Sequence, residues 1–188
     1  MEVTTTLDPQ SRQAWRSWLE QNQAQAREIW ILLRSDRISN LTYLDAVEEA
    51  LCFGWIDGIA KKWGDAVAHR FTPRRARSHW TELNKERARR MIAAGQMTDA
   101  GRRVLPDLNE LNWQLPEDIR VRLQAVAGAW EAFCAFPPLY QRVRIGYIEE
   151  VRKTNPTEWE KRLRHFVLRT AKNEKFGNWD DSLLRRSP

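Results

Sequence analysis

The chain has 188 residues, of which 42% are hydrophobic and ten are tryptophan, so it can bury a core and is not disordered apart from its ends. This length suits one domain, or one domain with a helical extension. The net charge is +6, and residues 69–103 alone hold ten Lys and Arg against three Asp and Glu. Such a basic block either attracts nucleic acid, nucleotides or other anions, or forms an ordinary exposed arginine-rich helix.

The first third of the chain predicts a helix, a strand and a second helix. Asp8-Pro9 has the form of an N-cap followed by proline at the first helical position, and tryptophans follow at helical spacing. The segment EIWILLR (28–34) is apolar on both faces, which is typical of a central strand. Thr42 and Asp45 then fit a capping box that opens the second helix.

A β-hairpin is predicted next. Gly64-Asp65 fits a two-residue turn with glycine first, as a type II′ turn requires. Folding at this turn would set Trp63 against Ala66. Pro73 ends the second strand, because proline cannot donate a hydrogen bond to its neighbour.

The rest of the chain is predicted to be helical. Ser78 fits the N-cap of a helix that runs to Ala94, and Asn155-Pro156 fits the start of the last helix. A long amphipathic helix is predicted to open at Glu117. Its apolar residues follow at spacings of three and four: Ile119, Leu123, Val126, Trp130 and Phe133.

These elements together predict the α+β class. The sheet is expected to be small and antiparallel, with about three strands and with helices, followed by a mainly helical C-terminal region. The predicted division is an α+β core at 1–105 that contains the basic segment, a helical region at 106–175 and a tail at 176–188.

The segment RFTPRRARSHW (70–80) is the main candidate site. Its guanidinium groups lie beside a predicted helix start, where free backbone N–H groups add partial positive charge, and this combination favours phosphate or carboxylate. Tryptophans near it could stack on a ring or base. The candidate ligand-binding residues are Arg70, Arg74, Arg75, Arg77, Ser78, Trp55, Trp80 and Asn84.

A structural role for the same arginines is the alternative. They could pair with acidic side chains of the first third of the chain and close the fold, leaving no open pocket. The carboxylates considered for this role are Asp45, Glu48, Glu49 and Asp57.

Asp57 is the one candidate for a catalytic carboxylate. It lies in Gly54-Trp-Ile-Asp-Gly58, where the glycines permit close approach by another group. If desolvated beside a tryptophan, its pKa would rise and it could act as a general base. Alternatively, it pairs with Arg74 or Arg75, or caps a turn with its side chain.

Other chemistry is not indicated by the sequence, and we expect no metal and no cofactor. The three histidines are not at metal-ligand spacing, no glycine-rich phosphate loop occurs, and no GxSxG motif surrounds a serine. Cys52 and Cys134 lie among apolar neighbours, which favours two free thiols. With no signal peptide and no apolar run long enough to span a membrane, we expect a cytoplasmic protein.

Several motifs resemble the YdeI/OmpD-associated family, whose members are also described as bacteriocin-protection proteins. They are ALCFGWIDG, then FTPRR-x-x-S-x-W-x-x-x-N, then G-x-M-T-x-x-G. The resemblance covers most of the chain, is most specific through residues 15–101 and weakens beyond Pro106. It implies a bacterial protein with a small α+β unit and a helical region, and a role in protection against bacteriocins, but no particular chemistry.

Three functions follow as hypotheses. The preferred one is a non-enzymatic binding or stress-protection protein that holds an anionic small molecule or nucleic acid in a basic aromatic pocket. The second is an enzyme that uses Asp57 as a base and the arginines as an anion clamp. The third is an interaction protein that binds a protein partner through helices 117–170.

Overall fold

The structure is a computed structural model that describes residues 2–34, 41–75 and 78–181. The strands are β1 (Thr6–Leu7), β2 (Ile29–Arg34), β3 (Trp55–Trp63) and β4 (Ala66–Pro73). The α-helices are α1 (Arg12–Asn22), α2 (Tyr43–Cys52), α3 (Glu82–Ala93), α4 (Asp99–Arg102), α5 (Glu117–Gln124), α6 (Ala129–Ala135), α7 (Pro138–Glu149) and α8 (Pro156–Ala171). A short 3₁₀ helix covers Glu110–Asn112.

The described residues divide into two compact units. Unit 1 consists of residues 2–80 and 84–108, and unit 2 of residues 81–83 and 109–181. Unit 1 contains the sheet together with α1, α2, α4 and most of α3, whereas unit 2 contains α5 to α8. A sheet with helices followed by a helical C-terminal region confirms the predicted α+β class.

The sheet has the strand order β1-β2-β4-β3. β2 lies inside it, antiparallel to β4 and parallel to β1, which confirms the strand predicted at 28–34. β1 is only two residues long and places Thr6 beside Trp30 and Leu7 beside Ile31. The sheet is therefore mixed and has a fourth strand, which is too short to leave an alternating pattern in the sequence.

The hairpin of β3 and β4 forms as predicted. Trp63 pairs with Ala66 across the turn, and Gly64 has φ +60°. Asp65 is not among the described non-glycine residues with positive φ. A positive φ at the first turn residue alone is the geometry of a type II′ turn, which explains the glycine at that position.

β3 forms one edge of the sheet and contains a bulge. The pairing with β4 shifts by one residue between Asp57 and Ala60, so β3 has one extra residue there. From Gly58 onward every residue of the strand is exposed, including the adjacent Lys61 and Lys62. The other end of β3, at Trp55, lies in the core.

The core of unit 1 lies between the sheet and helices α1 and α2. Trp15 and Leu19 of α1 are fully buried. The indole N–H of Trp15 donates to the backbone oxygen of Ala46 (3.0 Å), and its ring centroid lies 5.6 Å from that of Phe71 in β4. One side chain thus ties α1 to both α2 and the sheet, with its polar atom hydrogen-bonded as burial requires.

Of the two predicted N-caps in this region, one is confirmed. In α2 the Thr42 hydroxyl accepts from the Asp45 backbone N–H, and Asp45 accepts in return from the Thr42 N–H. The predicted start at Asp8 is wrong, because Ser11 caps α1 by accepting from the Ala14 N–H. The Asp8 carboxylate instead accepts from Arg34 at the end of β2.

Helix α4 packs closely on the end of α2. The Thr98 hydroxyl donates to the Cys52 backbone oxygen (2.6 Å), and the Thr98 N–H donates to the same oxygen (3.1 Å). Gly101 approaches this carbonyl group so closely that a Cβ there would overlap it. A glycine is therefore needed at this contact.

Unit 2 has a helical core, with one correction to the prediction. The single long helix expected from Glu117 is wrong, because the chain breaks between α5 and α6 and passes through Gly128 at φ +76°. Asn155 caps α8 as predicted, accepting from the Glu158 N–H (3.0 Å). No helix among the residues that the structure describes is both long and apolar enough to cross a membrane.

Candidate functional site

A basic pocket of about 620 Å³ lies where β3 and β4 meet the loop between α1 and β2, all within unit 1. Its described lining contains four arginines and no acidic side chain. The lining residues are Ala24, Gln25, Ala26, Arg27, Ile56, Arg70, Thr72, Pro73, Arg74, Arg75 and Ser78. The volume falls within the range of small-molecule sites, ~300–1,000 Å³.

Arg74 is the most distinctive residue of this pocket. Its backbone N–H donates to the Gly54 oxygen (2.8 Å), which fixes the chain where β4 ends. Its side chain is only 6% exposed and stacks on the Trp80 ring, with Cζ 3.6 Å from the ring centroid. Nη1 donates to the backbone oxygen of His79 (3.2 Å), while the buried Nε and Nη2 have no acceptor among the described residues.

The electrostatic cost of this arrangement appears in the pKa of Arg74. Burial lowers that pKa to about 10, because the charged form loses its hydration, and the negative charge of Asp57 only partly opposes this effect. No ion pair joins Arg74 to any carboxylate in the described part of the chain, since Nη1 donates to a backbone oxygen and Nε and Nη2 have no partner there. A buried guanidinium without a compensating anion is uncommon, since burying a charge is costly.

Arg70, in contrast, is already neutralised. Its Nε donates to a carboxylate oxygen of Glu28 (2.8 Å), and its terminal nitrogen binds the same oxygen. Hydrogen bonds from Thr4 and Arg70 lower the pKa of Glu28. Arg70 therefore lines the pocket as part of an ion pair, as the alternative structural role requires.

The remaining arginines leave positive charge at the rim. Arg27 and Arg75 are exposed, and neither has a carboxylate partner among the residues that the structure describes. Arg77, which the sequence also suggested, lies outside the described residues.

Ser78 lies in the pocket but does not cap a helix. Its hydroxyl accepts from the Arg75 N–H (2.9 Å) and donates to the Arg75 backbone oxygen (2.8 Å), which ties Ser78 to the chain just past the end of β4. The helix expected to start after Ser78 begins instead at Glu82. The predicted helix N-terminus beside the arginines is therefore wrong, and the positive potential comes from the side chains.

The acidic residues of α2 are bound by other arginines. Arg12 donates to Asp45, Glu48 and Glu49 at 2.8, 3.1 and 2.6 Å. Arg16 binds Glu49 (2.7 Å), and Arg90 binds Glu48 (3.0 Å). The carboxylates that could have neutralised the 70–80 segment are thus engaged elsewhere.

This cluster around α2 also shifts one pKa strongly. Burial works against the charged form of Arg12, but the hydrogen bond and charge of Glu49, with the charges of Glu48 and Asp45, raise the pKa of Arg12 above its ordinary value. Glu49 is only 2% exposed, so these ion pairs form part of the packing between α1 and α2.

Asp57 lies outside the lining of the pocket. The Tyr43 hydroxyl donates to Asp57 Oδ2 (2.6 Å), and the Tyr43 ring lies 4.9 Å from that of His69. Burial lowers the pKa of His69, against the opposing charge of Asp57. Within the described ranges no group of three or more His, Cys, Asp or Glu side chains is placed to hold a metal ion.

Two of the suggested ligand-binding residues lie in the interior. Trp55 is 1% exposed and contacts Trp18 edge-on, with ring centroids 5.8 Å apart. Asn84 is buried and accepts a hydrogen bond from Arg87 (2.8 Å). Trp80, in contrast, contacts Arg74 of the pocket.

Arg27 and Gln25 line the pocket although sequence reasoning did not select them. The antiparallel pairing places Ile29 beside Phe71 and Trp30 beside Arg70, which brings the residues just before β2 next to the end of β4. Both segments had been predicted as strands. The sequence does not show that these two strands pair with each other. That pairing is what places Arg27 beside the end of β4.

Comparison with known families divides the chain at nearly the same place as the two units. Residues 7–104 match a family described as a domain of unknown function (DUF8412). Residues 112–173 match the family described as bacteriocin-protection, YdeI or OmpD-associated. The sequence motifs predicted that the likeness to this second family would be most specific through residues 15–101. The match lies instead in the C-terminal part of the chain. No curated protein and no solved structure is similar enough to count as a match.

Proposed function

The chain belongs to the family that its residues 7–104 match, the domain of unknown function DUF8412, and we propose that unit 1 is a non-enzymatic binding module for a phosphate- or carboxylate-bearing ligand. The observation that carries this proposal is the Arg74 guanidinium, buried in the pocket with two nitrogen atoms that have no acceptor among the described residues. A bound anion would supply the acceptors and the opposite charge.

The geometry of Arg74 favours an acceptor that presents two oxygens side by side. Trp80 holds the guanidinium plane from one side, and His79 holds one terminal nitrogen. The two unpartnered nitrogen atoms, Nε and Nη2, can donate side by side, as in the paired hydrogen bonds of arginine with carboxylate and phosphate. Arg27 and Arg75 at the rim would attract the anion and contact its outer oxygens.

Binding is favoured over catalysis by what lines the pocket. The polar side chains there are arginines, Gln25, Thr72 and Ser78, which donate hydrogen bonds but offer no ready base. The Ser78 hydroxyl is engaged by the Arg75 backbone, and Asp57 is bound to Tyr43 away from the lining. We therefore do not carry the hypothesis of Asp57 as a general base into the proposal.

Calorimetric titration of the full chain with inorganic phosphate and with citrate tests the proposal. We expect wild-type protein to bind, and Arg74→Gln to weaken binding by about tenfold or more, the effect of losing charge-assisted hydrogen bonds. Arg102→Gln is the matched control, since Arg102 is exposed in the same unit and the change in net charge is identical. Equal affinity of Arg74→Gln and wild type would refute the proposal.

Nucleic acid is the other possible source of phosphate groups. A titration with single-stranded DNA over a range of salt concentrations distinguishes it from a small molecule. Polyanion binding weakens steeply with salt because several counterions are released at once, whereas a single bound phosphate gives a shallow dependence. We propose the small anion, because the pocket is bounded by residues 24–27 on one side and by Ser78 on the other.

The match of residues 112–173 supports a protective role as the biological context. The description of that family names bacteriocin protection, and we propose that ligand binding serves such a function here. Survival of cells that carry wild-type or Arg74→Gln protein, challenged with a bacteriocin, would test it. Equal survival of cells with and without the protein would exclude this role.

We also propose that a protein partner binds unit 2. Unit 2 exposes Val121, Tyr147 and Leu168, and a pull-down with Val121→Ser and Leu168→Ser variants tests the partner.

We further propose that the protein works in the cytoplasm. Cys134 is an exposed free thiol, as expected in a reducing compartment. Cell fractionation with thiol labelling of Cys134 tests the location, and recovery outside the cytoplasmic fraction would refute it.

A further inference from the structure

A second basic cavity, of about 370 Å³, lies within unit 2. It is formed by α7, α8 and the segment that follows α8. Three of its lining side chains are the cations Arg144, Lys161 and Arg162, and His165 stands beside them, while Glu158 is the one acidic residue of its described lining. This cavity is separate from the pocket around Arg74, with which it shares no residue.

Arg144 has the same unusual features as Arg74. Its side chain is nine-tenths buried, at 9% exposure, and its buried Nε has no acceptor among the described residues. No ion pair joins it to a carboxylate in the described part of the chain. Burial lowers the pKa of Arg144, as expected for a guanidinium held away from water without an anion.

The position of Arg144 is fixed by two aromatic rings and a glycine. Its Cζ lies 4.9 Å from the Tyr147 ring centroid and 4.2 Å from that of Phe176. Gly177, at φ +73°, leaves room for the guanidinium, because a Cβ there would come within 2.7 Å of Nη1. The side chain is therefore held in place before any ligand arrives, which lowers the entropic cost of binding.

A second arginine is placed on the same ring. Arg162 Cζ lies 3.8 Å from the Tyr147 ring centroid, and its Nε donates to Glu158 (3.0 Å). The positive charge of Arg162 also contributes to lowering the pKa of Arg144. Because Glu158 is already engaged by Arg162, the positive charge of Arg144 stays uncompensated.

We propose that this cavity is a second anion site, which binds the phosphate group of a small ligand. Arg144 donates to two of its oxygens from the interior, and Lys161 and His165 contact it from the rim. An anion there supplies the missing acceptor for Arg144 and reduces the repulsion between Arg144 and Arg162. The proposal stands on unit 2 alone and does not depend on the pocket around Arg74.

Titration of the full-length Arg74→Gln variant with inorganic phosphate isolates this site. We expect calorimetry to show one remaining binding event, and the Nε–Hε resonance of Arg144 in a ¹⁵N–¹H spectrum to shift in a saturable way. Adding Arg144→Gln should weaken this event about tenfold or more. Arg164→Gln on α8 is the control, since Arg164 is exposed and does not line this cavity.

Because Arg144 is buried, its replacement could unfold unit 2, so a rim variant provides an independent test. Lys161 is 81% exposed, and Lys161→Gln combined with His165→Gln should weaken phosphate binding several-fold without loss of helical circular dichroism. Phosphate binding that is abolished by Arg74→Gln alone would overturn the second site and leave the first intact. An Arg144 resonance that does not move with phosphate, or a rim variant that binds like Arg164→Gln, would also overturn it.

Discussion

Replacing Arg74 by methionine separates the charge of this residue from its packing. Methionine is also unbranched and can keep the contact with Trp80, but it removes the buried guanidinium. Burial lowers the pKa of Arg74 to about 10, and each pKa unit corresponds to about 1.4 kcal/mol. Keeping the side chain charged in the folded state therefore costs about 3 kcal/mol, and methionine removes this cost.

The variant also loses favourable contacts. The hydrogen bond from Nη1 to His79 contributes about 1 kcal/mol, and the stacking of the cation on Trp80 about another 1 kcal/mol. The balance predicts that Arg74→Met is more stable than wild type by about 1 kcal/mol in the absence of ligand. Urea denaturation at neutral pH, followed by tryptophan fluorescence, measures this difference.

The pH dependence of this effect has a definite sign. The folded-state pKa of Arg74 is lowered, so the cost of the charge is fully present below pH 10 and declines as pH rises above it. The advantage of Arg74→Met should therefore be constant near neutrality and shrink in strong alkali. A constant advantage up to the most alkaline pH at which the protein stays folded would contradict this assignment of its cause.

The ligand reverses the order of the two proteins. Phosphate at about 100 times its dissociation constant should stabilise wild type by about 2.7 kcal/mol through linkage and leave Arg74→Met unchanged at that site. A variant that is less stable than wild type by more than about 1 kcal/mol, with and without phosphate, would refute the reasoning. Arg74 would then be a structural residue and not a binding residue.

Three further predictions concern the fold. Glu49→Ala leaves two partly exposed arginines without their shared carboxylate and should lower the free energy of unfolding by about 2–3 kcal/mol in urea titrations. Gly101→Ala should cost about 1–3 kcal/mol because its Cβ overlaps the Cys52 carbonyl, whereas Gly146→Ala in the middle of α7 should be neutral or stabilising by the same assay. Because burial lowers the pKa of His69, the free energy of unfolding should fall as pH drops below about 6.5. His69→Gln should reduce this dependence of stability on pH, and an unchanged dependence would contradict the prediction.

Local signals predicted the elements of unit 1 well where one residue decides the geometry. The capping box at Thr42 and the hairpin turn at Gly64 are examples, because each depends on neighbours within three residues. Ser78 shows the limit of this reasoning. Its hydroxyl is hydrogen-bonded to the Arg75 backbone, so a residue that could cap a helix does not, and the helix starts at Glu82.

Periodicity predicted which residues are buried but not whether a helix is continuous. Ile119, Leu123 and Phe133 all lie in the core of unit 2, as their spacing indicated, yet α5 and α6 are separate helices. Two short helices that face one core can keep a regular apolar pattern across the break. Only Gly128, whose left-handed conformation is unfavourable for other residues, marked the interruption in the sequence.

The candidate site was predicted in part. The sequence shows which residues are charged, but it does not show which side chains form ion pairs with each other. The basic segment contained Arg74 and Arg75, which do line the pocket. Whether they were neutralised depended on Arg12 and Arg16, far away in the chain, which bind the carboxylates of α2. No pattern within the 70–80 segment carries that information.

The exposed edge of β3 determines whether other copies of the protein can associate with the sheet. A strand at a sheet margin is a template on which another chain can add, and such addition starts aggregation. Here the kink between Asp57 and Ala60 interrupts the regular ladder, and the ammonium groups of Lys61 and Lys62 would repel the same groups on an incoming copy. The most exposed strand of the fold is thus built to discourage growth of the sheet.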